Sequence, residues 1–72
     1  MPAKDYGERI AQLRERRGLT QEALADKARI HRVSLANIER GAKLPTLDTL
    51  ERLAKALRVS MRDFFPPKQQ RG

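Results

Sequence analysis

The sequence predicts an all-α domain of five short helices. Apolar residues recur three or four positions apart through almost the whole chain, and no segment alternates as a strand would. Gly18 and Gly41 each follow such a segment and are placed to end a helix in the left-handed conformation. The 72 residues suit one domain, expected over residues 1–65, with residues 66–72 as a mobile tail.

The first two helices are separated by a short turn. The first has an apolar face made by Tyr6, Ile10 and Leu13. Thr20 is the expected N-cap of the second, which runs from Gln21 to about Ala28. The inward residues of the second helix are Ala23 and Leu24.

The remaining three helices complete the predicted domain. The third begins around His31 or Arg32, ends at Gly41, and turns Leu35 and Ile38 inward. Pro45-Thr46 opens the fourth, whose apolar stripe is Leu47, Leu50, Leu53, Ala54 and Leu57. Ser60 is placed to cap a last short turn that carries Met61, Phe64 and Phe65. Phe64 is assigned to the core.

Charge is the strongest compositional signal. Sixteen Lys and Arg against nine Asp and Glu give a net charge of +7, which favours nucleic acid first and an anionic membrane surface second. Residues 1–43 hold ten basic and six acidic residues, and residues 44–72 hold six and three. Because the excess is spread along the chain, folding must assemble any basic patch.

Other function classes lack their motifs. A Gly-rich phosphate loop, a nucleophile–base pair and paired carboxylates are absent from the sequence, so neither an enzyme nor a small-molecule site is expected. With no cysteine and one histidine, no disulfide, metal or cofactor is expected. Binding to a membrane surface needs an exposed apolar face beside the basic one, and each apolar stripe here is needed for the core.

The expected location is the cytoplasm, in association with the nucleoid. The first ten residues, MPAKDYGERI, are polar and charged and do not form a signal peptide. The apolar runs are too short to span a membrane.

The stretch RIHRVSLANIERG, residues 29–41, carries an unusual outward face. At about 100° per residue, the side of the third helix opposite Leu35 and Ile38 holds Val33, Ala36, Asn37 and Arg40, with Arg32 beside them. A solvated face usually carries long charged helix formers. Arginine can instead pair with guanine, asparagine with adenine, and small apolar groups with the thymine methyl. The chemistry alone leaves both interpretations open, a base-reading face and an ordinary solvated one.

Residues 21–40, QEALADKARIHRVSLANIER, resemble the helix-turn-helix of the lambda-repressor-like, or Xre-type, DNA-binding family. Ala25 is small where the two helices cross, and Ile30 is apolar in the turn. The flanking segments LRERRGLTQEALA, IERG and LPTLDTLERLAKALRVS are also similar to that family. The resemblance covers about Tyr6 to Phe65. It implies a compact five-helix fold, with helices two and three as the helix-turn-helix, and a transcriptional regulator that binds double-stranded DNA.

The resemblance implies roles for the matching positions. Contacts to DNA bases are expected from Arg32, Val33, Ala36 and Asn37. Contacts to DNA phosphates are expected from Gln21, Ser34, Arg40, Lys43 and Arg14. Each phosphate candidate also has a plain alternative as a residue of the solvated or helix surface.

Arg14 and Glu39 each lie roughly 40° from the inward centre of their helix. We therefore expect a partly buried, charge-assisted pair where helix one meets helix three, and this resembles an Arg–Glu pair of the family. Glu39 is interpreted as structural, because an exposed acid would repel DNA.

Two residues of the turn depart from the family pattern. The family often has glycine at the position of Arg29, and a left-handed non-glycine residue costs roughly 1 kcal/mol. Either Arg29 tolerates that strain or the turn is built differently. His31 stands where a small capping residue is common.

The chain also resembles stand-alone regulators of the family, such as phage repressors and restriction–modification controller proteins, which act as dimers on symmetric sites. A homodimer on a palindromic operator is therefore expected, with an interface made by Leu44, Met61 and Phe65. The alternative is that these three side chains complete the monomer core. The rival function is a protein-interaction module such as the antitoxin of a toxin–antitoxin pair. A long partner-binding extension would support that function, and the seven-residue tail does not.

Overall fold

The computed structural model describes residues 3–65, with side chains from Tyr6 onward. Four α-helices, α1 to α4, span Ala3–Arg16, Gln21–Ala28, Arg32–Glu39 and Leu47–Leu57, and a 3₁₀ helix spans Met61–Phe64. The all-α class is confirmed for this part of the chain, where no strand forms. The expected fifth α-helix is a single 3₁₀ turn instead. The predicted tail, residues 66–72, lies outside the described residues.

The helices pack around one apolar core. Helix α1 packs on α3, α2 packs on both α3 and α4, and the 3₁₀ helix joins α1 to α4. Every element contributes to the core, which consists of Ile10, Leu13, Leu24, Ala25, Ala28, Leu35, Ile38, Leu50, Leu53, Ala54, Leu57 and Phe64. Phe64 is fully buried, as predicted. None of the helices between residues 3 and 65 is long and apolar enough to cross a membrane.

Two residues predicted to be buried are not. Leu47 belongs to the predicted stripe of α4 but is 66% exposed. It is the first residue of the helix, and its side chain lies at the end of the stripe, one turn before the buried Leu50. Ala23 in α2 is only half-buried.

Side-chain caps set the starts of three helices. The hydroxyl of Thr20 accepts a hydrogen bond from the backbone N–H of Ala23 at 3.0 Å, and that of Thr46 accepts one from Thr49 at 3.1 Å. Ser60 and Asp63 form a capping box around the 3₁₀ helix. His31 occupies the N-cap of α3 without a side-chain capping bond.

The four α-helices end in the same way. A left-handed residue follows each helix, either directly (Arg29 and Arg58, both at φ 61°) or one residue later (Gly18 at φ 70° and Gly41 at φ 79°). The next N–H then bonds back to a carbonyl five residues earlier, as in a Schellman motif. Arg29 therefore adopts the left-handed conformation in which glycine would be unstrained, and the turn is not built differently. Arginine at two of these four positions costs roughly 1 kcal/mol each relative to glycine.

Helix α1 approaches α3 so closely that only glycine fits at the contact. A Cβ atom on Gly7 would lie 2.1 Å from the carbonyl oxygen of Ile38 and 2.6 Å from that of Glu39. Both oxygens are backbone atoms in the last turn of α3. Gly7 therefore sets the separation of the two helices and with it the position of Glu39.

Candidate nucleic-acid interface

Helix α3 has one buried side and one open side. Leu35 and Ile38 are buried to 0% and 1% exposure against the core. In the first turn, Arg32 and Val33 are both exposed, Val33 to 62%. Apolar methyl groups and guanidinium donors therefore lie side by side on the surface, at the start of the helix.

The next turn of α3 places an amide beside a small residue. Ala36 and Asn37 are half-buried. The guanidinium of Arg40 donates a hydrogen bond to Oδ1 of Asn37. This bond orients the amide and leaves its Nδ2 hydrogens, together with one lone pair of Oδ1, free to pair. The arrangement keeps both the donor and the acceptor that recognition of an adenine edge requires.

The carboxylate of Glu39, at the end of α3, accepts hydrogen bonds from side chains of α1 and α2. Its Oε2 accepts a hydrogen bond from Nε of Arg14 at 2.8 Å, and its Oε1 accepts one from Nη2 of Arg14 at 3.1 Å. The same Oε1 accepts a third bond from Nε2 of Gln21 at 2.9 Å. The Glu39 side chain is 6% exposed and the Arg14 side chain 13%. One carboxylate thus links α1, α2 and α3, and the sequence had predicted only its pairing with Arg14.

The guanidinium of Arg14 is nearly saturated by protein acceptors. Besides the two bonds to Glu39, its Nη1 donates to the carbonyl oxygen of Leu19 at 2.7 Å. A guanidinium carries five N–H groups, so one hydrogen on each of Nη1 and Nη2 is left for a further acceptor. The hydrogen bonds that Arg14 donates to Glu39 are the main cause that raises the pKa of Arg14, with the charges of Glu39 and Glu15 adding to the effect and burial opposing it. The side chain therefore stays cationic at any neutral or mildly alkaline pH.

Gln21 stands at the first position of α2 with its amide held in place. Because Glu39 can only accept, the amide nitrogen of Gln21 faces it, and the amide oxygen and the second N–H are left over. The backbone N–H groups of the first turn of α2 lie beside it, where a helix end favours an anion.

The other predicted phosphate contacts are more loosely placed. Arg40 and Lys43 are exposed at the end of α3 and in the loop that follows, and Ser34 is half-buried on α3 itself. Arg40 is tied to Asn37, so the structure joins a predicted phosphate contact to a predicted base contact.

The residues predicted to form a dimer interface have unequal exposure. Leu44 is 61% exposed and Phe65 is 39% exposed, whereas Met61 is half-buried against the core. The ring of Phe65 also packs edge-on against Tyr6, with 5.3 Å between ring centroids. Leu47, three residues after Leu44, is a third large exposed apolar side chain, although the sequence predicted that it lies in the core.

Gly7 was not identified from the sequence as a packing residue. The available signal was a glycine inside an otherwise helical pattern. Glycine lowers helix stability by about 1 kcal/mol relative to alanine, so its presence there indicates close packing or a function.

In residues 6–65 no group of acidic, histidine or cysteine side chains is arranged to hold a metal ion.

Comparison with known proteins gives one consistent assignment. A helix-turn-helix family model, HTH_3, matches residues 10–64. The control protein C.BamHI of Bacillus amyloliquefaciens is 36% identical over 61 residues, which cover 83% of this chain and 75% of that protein. The immunity repressor protein of Bacillus phage phi105 is 47% identical over 55 residues, which cover 76% of this chain and 38% of that protein.

A solved structure gives the same result. The restriction-modification controller protein C.AhdI from Aeromonas hydrophila superposes with a TM-score of 0.86 at 33% identity, over 88% of this chain and 96% of that chain. The match extends over the helix-turn-helix and the helices that flank it. The chain belongs to the HTH_3, or lambda-repressor-like, helix-turn-helix family of transcriptional regulators.

Proposed function

We propose that this regulator binds double-stranded DNA sequence-specifically, as a homodimer on a palindromic operator, with α3 in the major groove. The observation that carries the proposal is the open side of α3. Arg32 and Val33 are exposed at its start, and Asn37 follows one turn later, while the opposite side of the helix is buried. The names of C.BamHI and C.AhdI as controller proteins support the same function.

Base discrimination is assigned to the open side of α3. Arg32 carries the fork of donors that pairs with guanine O6 and N7, and Asn37 carries the amide that pairs with adenine N6 and N7. Val33 and Ala36 present methyl groups for the thymine C5-methyl group, and the small Ala36 permits close approach. Each good pair lost costs about 1–3 kcal/mol of discrimination.

Phosphate contacts are assigned to the rim around α3. Gln21 and Arg14 are held by Glu39 and still have N–H groups to donate, so their geometry is set before DNA arrives. Ser34, Arg40 and Lys43 extend the rim along α3 and the following loop. Ordered donors lose less conformational entropy on binding, so Gln21 and Arg14 supply affinity at low cost.

The dimer interface is assigned to the apolar side chains around the start of α4 and the 3₁₀ helix. Leu44, Phe65 and Leu47 are large, apolar and exposed in the single chain, and Met61 is half-buried on the 3₁₀ helix. To read two half-sites one turn of DNA apart, the dimer must place its two copies of α3 about 34 Å from each other.

The direct test is selection of bound sequences from random duplex DNA at moderate salt, with sedimentation of the free protein. We expect a palindromic consensus and a dimer. A folded protein that enriches no sequence would overturn the proposal and favour the antitoxin function. A consensus without symmetry, bound by a monomer, would overturn the dimer alone.

Substitutions separate base contacts from phosphate contacts. Arg32→Ala should relax specificity and leave binding to random duplex nearly intact. Lys43→Ala should weaken all duplexes by a similar factor and reduce the salt dependence. Lys43 is a cleaner choice than Arg40, because Arg40 also orients Asn37. If both variants lowered specific and random binding by the same factor, the assignment of roles would be wrong.

A further inference from the structure

Four cationic side chains line a shallow concavity between α2 and α4. Lys27, Arg29, Arg52 and Lys55 surround a volume of about 340 Å³, and the remaining lining residue is Ala28. All four cations are exposed. We refer to these four side chains as the α2–α4 basic patch.

The patch is poorly neutralised. Among the described residues, only Asp48 lies within ion-pair distance of any of the four cations, at 3.2 Å from Nε of Arg52. The C-terminal end of α2 also points here and favours positive charge, but a helix end is equivalent to only about half an elementary charge. Because neighbouring cations repel one another, the favourable interaction with one helix end does not account for all four side chains.

Arg29 adds a second, independent observation. Its backbone is left-handed, at φ 61°, where glycine would be unstrained. The contact at this residue uses its backbone, since Nη1 of Arg52 donates to the carbonyl oxygen of Arg29 at 3.2 Å. That bond needs no arginine side chain at position 29. The hydrogen bonding of this turn therefore does not require arginine, and what arginine adds over glycine at position 29 is an exposed guanidinium in the patch.

The patch continues the proposed DNA surface. Arg29 precedes Arg32 by three residues, so the patch begins beside the N-terminal end of α3 and extends to α4. We propose that Lys27, Arg29, Arg52 and Lys55 bind the DNA phosphodiester backbone outside the bases that α3 reads. This inference rests on the proposed function. The phosphates belong either to the flank of the same duplex or to a neighbouring duplex.

The variants Arg29→Gly and Arg58→Gly form a matched pair that tests phosphate binding by the α2–α4 basic patch. Both residues are exposed, left-handed and follow a helix end, and both use their carbonyl oxygen to accept from another arginine. Each substitution removes one positive charge and one strained backbone position, so neither variant should melt below wild type. Only Arg29 lines the concavity.

Affinity is measured against salt on two duplexes. One spans only the selected site, and the other extends it by one helical turn, about 10 bp, on each side. If the ligand is the flanking DNA of the same duplex, Arg29→Gly lowers the steepness of log K against log salt by about 0.9 for each protomer. This change appears on the extended duplex and not on the short one. Arg58→Gly leaves the slope unchanged. Lys27→Gln/Lys55→Gln, which leaves the backbone intact, lowers the slope by about twice as much as Arg29→Gly.

A capture assay identifies the alternative source of phosphate. If a neighbouring duplex is the ligand, Arg29→Gly reduces capture of a second labelled duplex by the preformed complex and leaves both slopes unchanged. Equal behaviour of Arg29→Gly and Arg58→Gly in all three measurements would overturn the inference. Wild-type binding to the short duplex tests the proposed function separately, so the two failures are distinguishable.

Discussion

Replacing Glu39 with alanine removes the acceptor that links three helices. Its carboxylate accepts bonds of 2.8 and 3.1 Å from Arg14 and one of 2.9 Å from Gln21. The Arg14 side chain is 13% exposed, so water replaces little of what is lost. The guanidinium keeps its bond to the carbonyl of Leu19 and a 3.8 Å contact with the exposed carboxylate of Glu15, but it loses its buried, bidentate partner.

The expected cost is large for a chain of this size. Breaking a buried ion pair by removing one partner costs about 3–5 kcal/mol, and the remaining contact to Leu19 favours the lower end, about 3 kcal/mol. A domain of 72 residues unfolds with roughly 4–11 kcal/mol. Glu39→Ala should therefore remove roughly a quarter to three quarters of the stability. The melting temperature should fall by about 12–24 °C.

Urea denaturation followed by far-ultraviolet circular dichroism measures the effect. Asp48→Ala is the control, because Asp48 also pairs with an arginine, at 3.2 Å, but the two side chains are 69% and 49% exposed. An exposed pair of this kind is worth about 0.2–1 kcal/mol. If Glu39→Ala and Asp48→Ala shifted the urea midpoint equally, the reasoning from burial would be refuted.

Two further pairs of variants test the packing. Gly7→Ala should lower the free energy of unfolding by about 1–3 kcal/mol despite alanine's better helix propensity, because its Cβ would meet two carbonyl oxygens of α3. Gly18→Ala, where a Cβ meets nothing within 4 Å, should cost only the left-handed strain of about 1 kcal/mol, and a larger loss at Gly18 would contradict the account. Leu50→Ala should cost about 2–5 kcal/mol. Leu47→Ala, at an exposed position, should change the unfolding free energy by less than about 0.5 kcal/mol, so equal urea midpoints for the two leucine variants would be inconsistent with the burial described.

Local signals in the sequence were sufficient to predict the helices and their ends. Thr20 and Ser60 cap the helices that they were expected to cap, α4 begins after Thr46 as expected, and Gly18 and Gly41 adopt the left-handed conformation. A cap or a turn depends on hydrogen bonds to residues two to five positions away, so the sequence of that stretch contains the information. The resemblance to the repressor family also identified the helix-turn-helix.

The candidate site was predictable only in part. A helical wheel places Arg14 and Glu39 on inward-facing sides, but it cannot show that Gln21 shares the same carboxylate. The orientation of Asn37 by Arg40 depends on rotamers rather than on spacing. These bonds depend on side-chain positions that the helical period does not specify.

The sequence by itself determined the all-α class, the helix boundaries to within a few residues and the two-sided character of α3. The tertiary structure alone decided that Leu47 is exposed and that α1 meets α3 at Gly7. It also decided that Arg29 and Lys55, 26 positions apart, face one concavity. The physical reason is distance along the chain. Helix starts and ends are set by neighbours within a few residues, whereas exposure and charge clustering depend on which helices pack together and how closely.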